Sequence, residues 1–260
     1  MNLLNDYYTT HNEDVRLLSQ HGQVEYLTTM KYIGECLEGK ENSSILEVGA
    51  ATGRYSVTLA KQGYDVTAVE LVPHNIDILK SKLDGTEKIT VHQGNALDLS
   101  FLPDESFDVT MVLGPLYHLF TQEDKLKALK EAVRVTRKDG YILVAYCMNE
   151  PTIIQYAFGG HQISELINAD MLTADWHCKS EPKEIFELAR TEDIAKLDAQ
   201  LPVERVKLVA TDGASHYLKQ LIDEMDQETF SYWMEFHLAT CERQDLIGGS
   251  NHTLDILRKK

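Results

Sequence analysis

Ile45-Leu46-Glu47-Val48-Gly49-Ala50-Ala51-Thr52-Gly53-Arg54 is the stretch that decides how this chain folds. Ser44 to Val48 is a short apolar run, and Tyr55 and Leu59 follow Gly53 at helical spacing. The segment therefore reads as strand, tight turn, helix. Glycine at such a turn lets backbone approach a ligand, because no Cβ stands in the way. Glu70 lies 21 residues past Gly49, at the end of the next strand signal, Asp65 to Val69. An acid placed there can accept hydrogen bonds from both hydroxyls of a ribose.

Outward from this turn, strand and helix signals alternate from about residue 43 to 147. Gly63 is a natural helix stop, and Pro73 suits the first turn of a second helix with Ile76, Leu79 and Leu83 on one face. Lys88 to His92 alternates as a third strand. Phe107 to Leu113 is nearly all apolar, as expected of a strand buried on both faces. Thr121 with Asp124 resembles a capping box, opening a helix whose stripe is Leu126, Leu129 and Val133. Tyr141 to Tyr146 is a fifth strand entered through Gly140. Val203 to Ala210 and His252 to Leu257 read as a sixth and a seventh, with a helix over Thr229 to Glu242 between them. This pattern predicts an α/β fold: a doubly wound, mostly parallel seven-stranded sheet with helices on both faces.

The whole chain, 1–260, reads as one domain in four parts. Residues 1–42 form a helical N-terminal lid, with 12–38 one helix carrying Val24, Leu27, Ile33 and Leu37 in register. Residues 43–147 form a cofactor-binding core. Residues 151–200 lack strand signals and read as a helical insertion over the sheet's edge, and 201–260 supply the C-terminal strands and helix.

A dinucleotide fingerprint needs glycine at i, i+2 and i+5. Those positions hold Gly49, Ala51 and Arg54, so two of the three fail and a nicotinamide-dependent oxidoreductase is disfavoured. The segment resembles motif I of the class I, Rossmann-like S-adenosylmethionine-dependent methyltransferases: an acid, an apolar residue, Gly, two small residues, Thr, Gly. The resemblance runs through 43–147 and implies S-adenosylmethionine as cofactor and S-adenosylhomocysteine as product. On that resemblance, Glu47 orients the methionine amino group through water or backbone. Gly49, Ala50, Ala51, Gly53 and Arg54 form the loop beneath methionine and ribose, Glu70 with Leu71 holds the ribose, Asn95 and Ala96 meet the adenine, and Leu113 and Gly114 line the methionine side. Two residues depart from the family's pattern: Ala51 replaces the middle glycine and Asn95 the usual aspartate.

Gly114-Pro115-Leu116-Tyr117-His118-Leu119 leaves the fourth strand where ligands bind in open α/β sheets. It resembles a run found in bacterial small-molecule methyltransferases, and lacks the acid or amide of the DNA amino-methyltransferase motif. His118 is the candidate base, because an imidazole titrates near neutrality; the simpler reading is that it caps the next helix or packs against the cofactor. Tyr117 and His118 are candidate acceptor contacts, and Tyr8 is a third if the N-terminus folds over the site. Methyl transfer needs mainly positioning and desolvation, so a base is optional. A non-catalytic S-adenosylmethionine-binding module is the remaining alternative.

The formal net charge of −16 repels phosphate backbones, so the expected partner is a small neutral or cationic acceptor and not a nucleic acid. Cys36, Cys147, Cys178 and Cys241 form no CxxC pair, and no metal is expected; the spacing of His161, His177 and His216 fits no metal motif. The N-terminus has no secretory pattern and no segment is long and apolar enough to span a membrane, which makes the cytoplasm the expected compartment. The pattern is silent on oligomeric state.

Overall fold

The computed structural model describes residues 2–11 and 13–260. Seven strands make one sheet: β1 (Ser44–Val48), β2 (Asp65–Glu70), β3 (Ile89–Gln93), β4 (Phe107–Val112), β5 (Thr136–Cys147), β6 (Val203–Ala210) and β7 (His252–Lys259). Their order is β3-β2-β1-β4-β5-β7-β6, parallel except for β7, which runs antiparallel between β5 and β6. The chain reverses its direction of growth between β1 and β4. That switch point opens a crevice at the strands' carboxyl ends, beside the turn after β1.

The central strands are apolar on both faces because helices cover both. Ile45, Leu46, Val109, Met111, Ile142 and Leu143 are fully buried. The covering helices include α4 (Arg54–Lys61), α5 (Pro73–Ser81) and α6 (Gln122–Val135), and α6 is capped by the Thr121 hydroxyl accepting from the Asp124 amide at 3.1 Å.

The N-terminal segment is three helices, α1 (Asn2–Thr10), α2 (Glu13–Arg16) and α3 (Gln20–Leu37), where the pattern suggested one over 12–38. Ser19 caps α3 through its hydroxyl, which breaks the run; Asn12, at the start of the expected helix, is outside the described residues. Val24, Ile33 and Leu37 are buried as expected, but Leu27 is 41% exposed. The polar-looking Thr28, Thr29 and Tyr32 take the inner face instead.

β5 begins five residues earlier than its apolar run, at Thr136, and passes through a register shift opposite Phe107–Val109. The polar start of this strand hid it from an apolar pattern. Residues 151–200 are less helical than expected. They comprise a single π-helical stretch (Ile153–Phe158), α7 (Asn149–Thr152) before it, α8 (Ile163–Asn168) and α9 (Thr191–Asp198), joined by irregular chain over 169–190. This segment lies against the strands' carboxyl ends: Met148 pairs with Ala189, and Pro182 and Ile185 reach the crevice. α10 (Lys219–Asp223) and α11 (Gln227–Thr240) complete the C-terminal part.

Candidate active site

The turn after β1 is held from two sides. Gly49 and Ala50 both donate backbone N–H groups to the Val69 carbonyl of β2, at 2.8 and 3.1 Å. Glu70, at the end of β2, accepts from the Ala51 amide at 2.8 Å and from the Val72 amide at 2.8 Å. The carboxylate so ties loop, strand and the start of α5 together. Burial raises its pKa, against the opposing effect of these donors. Gly49 adopts φ +79, and a Cβ there would meet Pro115 Cδ at 2.5 Å; Ala51 takes the left-handed region at φ +44 although it carries a Cβ.

These elements wall a cavity of about 710 Å³. Of the loop residues singled out in the sequence, Glu47, Gly49, Ala50, Ala51 and Arg54 line it, with Glu70 and Leu71 on one side, Asn95 and Ala96 on another and Leu113 and Gly114 on a third. Gly53 is the exception and is not on the wall. Its φ of +80 and the 2.5 Å that would separate a Cβ from Leu79 Cγ make it a packing glycine between α4 and α5. Glu47 faces the cavity but is engaged by α4: the Ser56 amide donates to it at 3.0 Å and the Ser56 hydroxyl donates as well. Burial, with Glu70 nearby, pushes the Glu47 carboxyl up to about 8. Asn95 uses Oδ1 to accept from the Leu97 amide at 3.0 Å, the turn role open to that residue type.

Tyr8, Tyr117 and His118 do come together at the cavity. The Ile185 carbonyl can only accept, so His118 Nδ1 donates to it at 2.9 Å and leaves Nε2 as the acceptor for the Tyr8 hydroxyl at 2.8 Å. Burial lowers the His118 pKa to about 4, so the ring is neutral at neutral pH. Tyr117 donates to the Leu113 carbonyl at 3.1 Å.

Several wall residues were not legible in sequence, chiefly Glu13, Asp14 and Arg16 of α2 and Asn75 of α5. Asp14 accepts from the Thr52 hydroxyl at 3.0 Å and pairs with Lys82, which clamps α2 onto the loop. Nothing local in a four-residue helix announces such a contact. Two buried polar atoms on this wall, Arg54 Nε and Asn75 Oδ1, have no hydrogen-bond partner among the described residues.

A second cavity, of about 610 Å³, shares Tyr8, Glu13, Arg16 and Tyr117 with the first and is otherwise lined mainly by the 147–188 segment and the residues around Asp212 and His252.

Residues 46–144 match the methyltransferase-domain family. A ubiquinone biosynthesis O-methyltransferase of Alkalilimnicola ehrlichii is 23% identical over 64% of this chain and 66% of its own length. The chain spans 36% to 66% of the length of the curated relatives compared with it. Among solved structures, a SAM-dependent methyltransferase from Thermotoga maritima aligns over 100% of this chain and 99% of its own, with TM-score 0.61 and 20% identity. The N-methyltransferase NodS from Bradyrhizobium japonicum, solved with S-adenosylhomocysteine, aligns over 91% and 87% with TM-score 0.54 and 15% identity. Sheet order, the loop after β1 and these matches agree: residues 46–144 are a methyltransferase domain, in a chain with the fold of the S-adenosylmethionine-dependent methyltransferases it is similar to.

Proposed function

We propose that this protein transfers the methyl group of S-adenosylmethionine to a small molecule held in the second cavity. One observation carries the reading: a cavity lined by the β1 loop adjoins a cavity lined by the 147–188 segment, and four side chains belong to both walls. Donor and acceptor chambers that meet across a shared wall are what a two-substrate transfer requires.

The donor side fits the cofactor. Glu70 stands at the strand end that a ribose diol would meet, and Arg54 offers a half-buried guanidinium whose buried Nε is unpartnered among the described residues, suited to the methionine carboxylate. When bound, S-adenosylmethionine supplies an electrophilic methyl on a sulfonium. The chain's own part is to hold the acceptor in line and to exclude water. Tyr8, from α1, and Ile185 close over this region through His118. With a pKa near 4 and both ring nitrogens engaged, His118 supports a positioning role, orienting Tyr8, better than proton removal. The four cysteines are free, three of them buried, which suits a reducing cytoplasm. No helix among the described residues is long and apolar enough to cross a membrane. The acidic surface favours a small acceptor over nucleic acid.

Thermal unfolding of the protein with S-adenosylhomocysteine, S-adenosylmethionine and NAD(P) tests this. A ligand at 100 times its Kd adds about 2.7 kcal/mol, which raises the midpoint by several degrees. The expected result is a shift with the two adenosyl compounds and none with NAD(P); a shift with NAD(P) alone would overturn the reading.

A further inference from the structure

The second cavity has a polar end built from residues far apart in the chain. Arg16 donates to both oxygens of Glu25, at 2.7 and 3.0 Å, and its Nε pairs with Glu13 at 2.5 Å. Beyond Glu25, one ring nitrogen of His252 faces two carboxylates: Nδ1 lies 2.8 Å from Asp212 Oδ2 and 3.3 Å from Glu25 Oε2. Asp212 is fixed in turn by the Ser250 hydroxyl at 2.6 Å and the His252 amide at 3.1 Å. Burial opposes a charge on His252, but Glu25 and Asp212 hold its pKa well above the ordinary histidine value. Even with His252 protonated, Glu13, Glu25 and Asp212 set three negative charges against the two positive ones of Arg16 and His252. Among these five groups one negative charge is left over, before Lys219 of the same wall is counted.

Two further features point the same way. His216 donates from Nδ1 to Gln155 Oε1 at 2.6 Å, an orientation fixed because the Gln155 amide nitrogen donates to the Pro151 carbonyl. Its Nε2 is therefore an acceptor, on a ring that burial keeps neutral, with a pKa of about 4. Five aromatic rings, those of Tyr7, Tyr8, Tyr117, Tyr156 and Phe186, also line the cavity. Ring faces attract cations, more strongly where water is excluded. Of the lysines on the wall, Lys179 is paired with Asp170 at 2.8 Å. Lys219 is the opposing charge: it has no salt bridge among the described residues, and burial lowers its pKa.

We propose that the second cavity takes a methyl acceptor bearing a positively charged nitrogen, held between the Glu25–Asp212 end and the aromatic wall. This rests on the methyltransferase reading, and assigns the acceptor's chemical class.

The test is calorimetric titration of the protein saturated with S-adenosylhomocysteine, using three matched sets of probes. These are pentylamine, pentanol and pentanoate; phenethylamine, 2-phenylethanol and phenylacetate; tryptamine, tryptophol and indole-3-acetate. In at least one set the amine should bind tenfold or more tightly than its alcohol and its carboxylate. Asp212→Asn and Glu25→Gln should each reduce that preference to under threefold, and Lys219→Met should strengthen amine binding. Melting curves and S-adenosylhomocysteine affinity report whether each variant is folded. Absence of an amine preference in all three sets, or a preference that survives both carboxylate substitutions, would overturn the proposal. So would Mn²⁺ binding that Asp212→Asn abolishes without any amine binding, since the three ligand atoms of Glu25, Asp212 and His252 lie within 4.8 Å of one another and the charge would then serve a metal. Failure of S-adenosylhomocysteine itself to bind would strike the methyltransferase reading instead, before any amine is added.

Discussion

Arg54 follows the loop glycine and stacks its guanidinium over the Tyr26 ring at 4.7 Å, while its Nε is buried without a partner among the described residues. A buried donor in that state costs free energy until a ligand meets it. Arg54→Ala should weaken S-adenosylhomocysteine by about 10- to 100-fold, the range of a lost charged hydrogen bond, and leave 5′-methylthioadenosine, which lacks the carboxylate, unchanged. Equal losses for both ligands in calorimetry would place Arg54 elsewhere. Glu47 makes a second case. Its folded pKa near 8 lies above the ordinary glutamate value, so the folded protein prefers the protonated acid. The resulting cost is absent below about pH 4.5 and grows as pH rises towards 8. Glu47→Gln, neutral throughout, should therefore gain stability relative to the parent between pH 5 and 8, as read from urea midpoints. A constant difference across that window would mean that Glu47 is ionised in the folded chain.

The β1–α4 unit was the most legible element, because its apolar run, glycines and helical spacing are all local. β1, β6 and the apolar part of β4 fall where their patterns placed them. Gly53 shows the limit: a glycine in a ligand-loop motif is needed here for helix packing. A Cβ at Gly53 would press on Leu79 Cγ and force a side chain into the left-handed region. Gly53→Ala should cost about 2–4 kcal/mol by these two routes, measured by chemical unfolding. The break in the helix over 12–38 and the early start of β5 were missed for a common reason. Ser19 and Thr136 act through hydrogen bonds, a cap in one case and a buried link from Thr136 to the Thr110 hydroxyl at 2.7 Å in the other. Hydrophobic periodicity does not register either.

Across the whole molecule, buried histidines of opposite disposition shape the response to pH. Burial holds His118 and His216 near 4, below the ordinary value of 6.5. As pH falls through 6.5 the unfolded chain takes up protons that these folded sites refuse, so stability should drop between about pH 6.5 and 4. His252 acts in reverse: its raised pKa stabilises the fold below 6.5, and that contribution is lost only as pH rises through the raised value. His118→Phe should flatten the acid side of a midpoint-against-pH curve, and an unchanged slope between pH 6.5 and 4 would show that His118 protonates freely. The order of apolar runs determined the parallel sheet from sequence alone, and the resemblance of the β1 loop to motif I, with the acid ending β2, picked out the cofactor and many residues of the first cavity's wall. They could do so because strand, turn and helix in a βαβ unit are neighbours in the chain, and each leaves a short-range mark. The polar end of the second cavity was decided only by the tertiary structure. Arg16, Glu25, Asp212 and His252 are separated by up to 236 positions, and each alone is an unremarked polar residue. Burial and the antiparallel insertion of β7 beside β5 bring their charges together, and at those distances and in that low dielectric their interactions become strong enough to select a ligand.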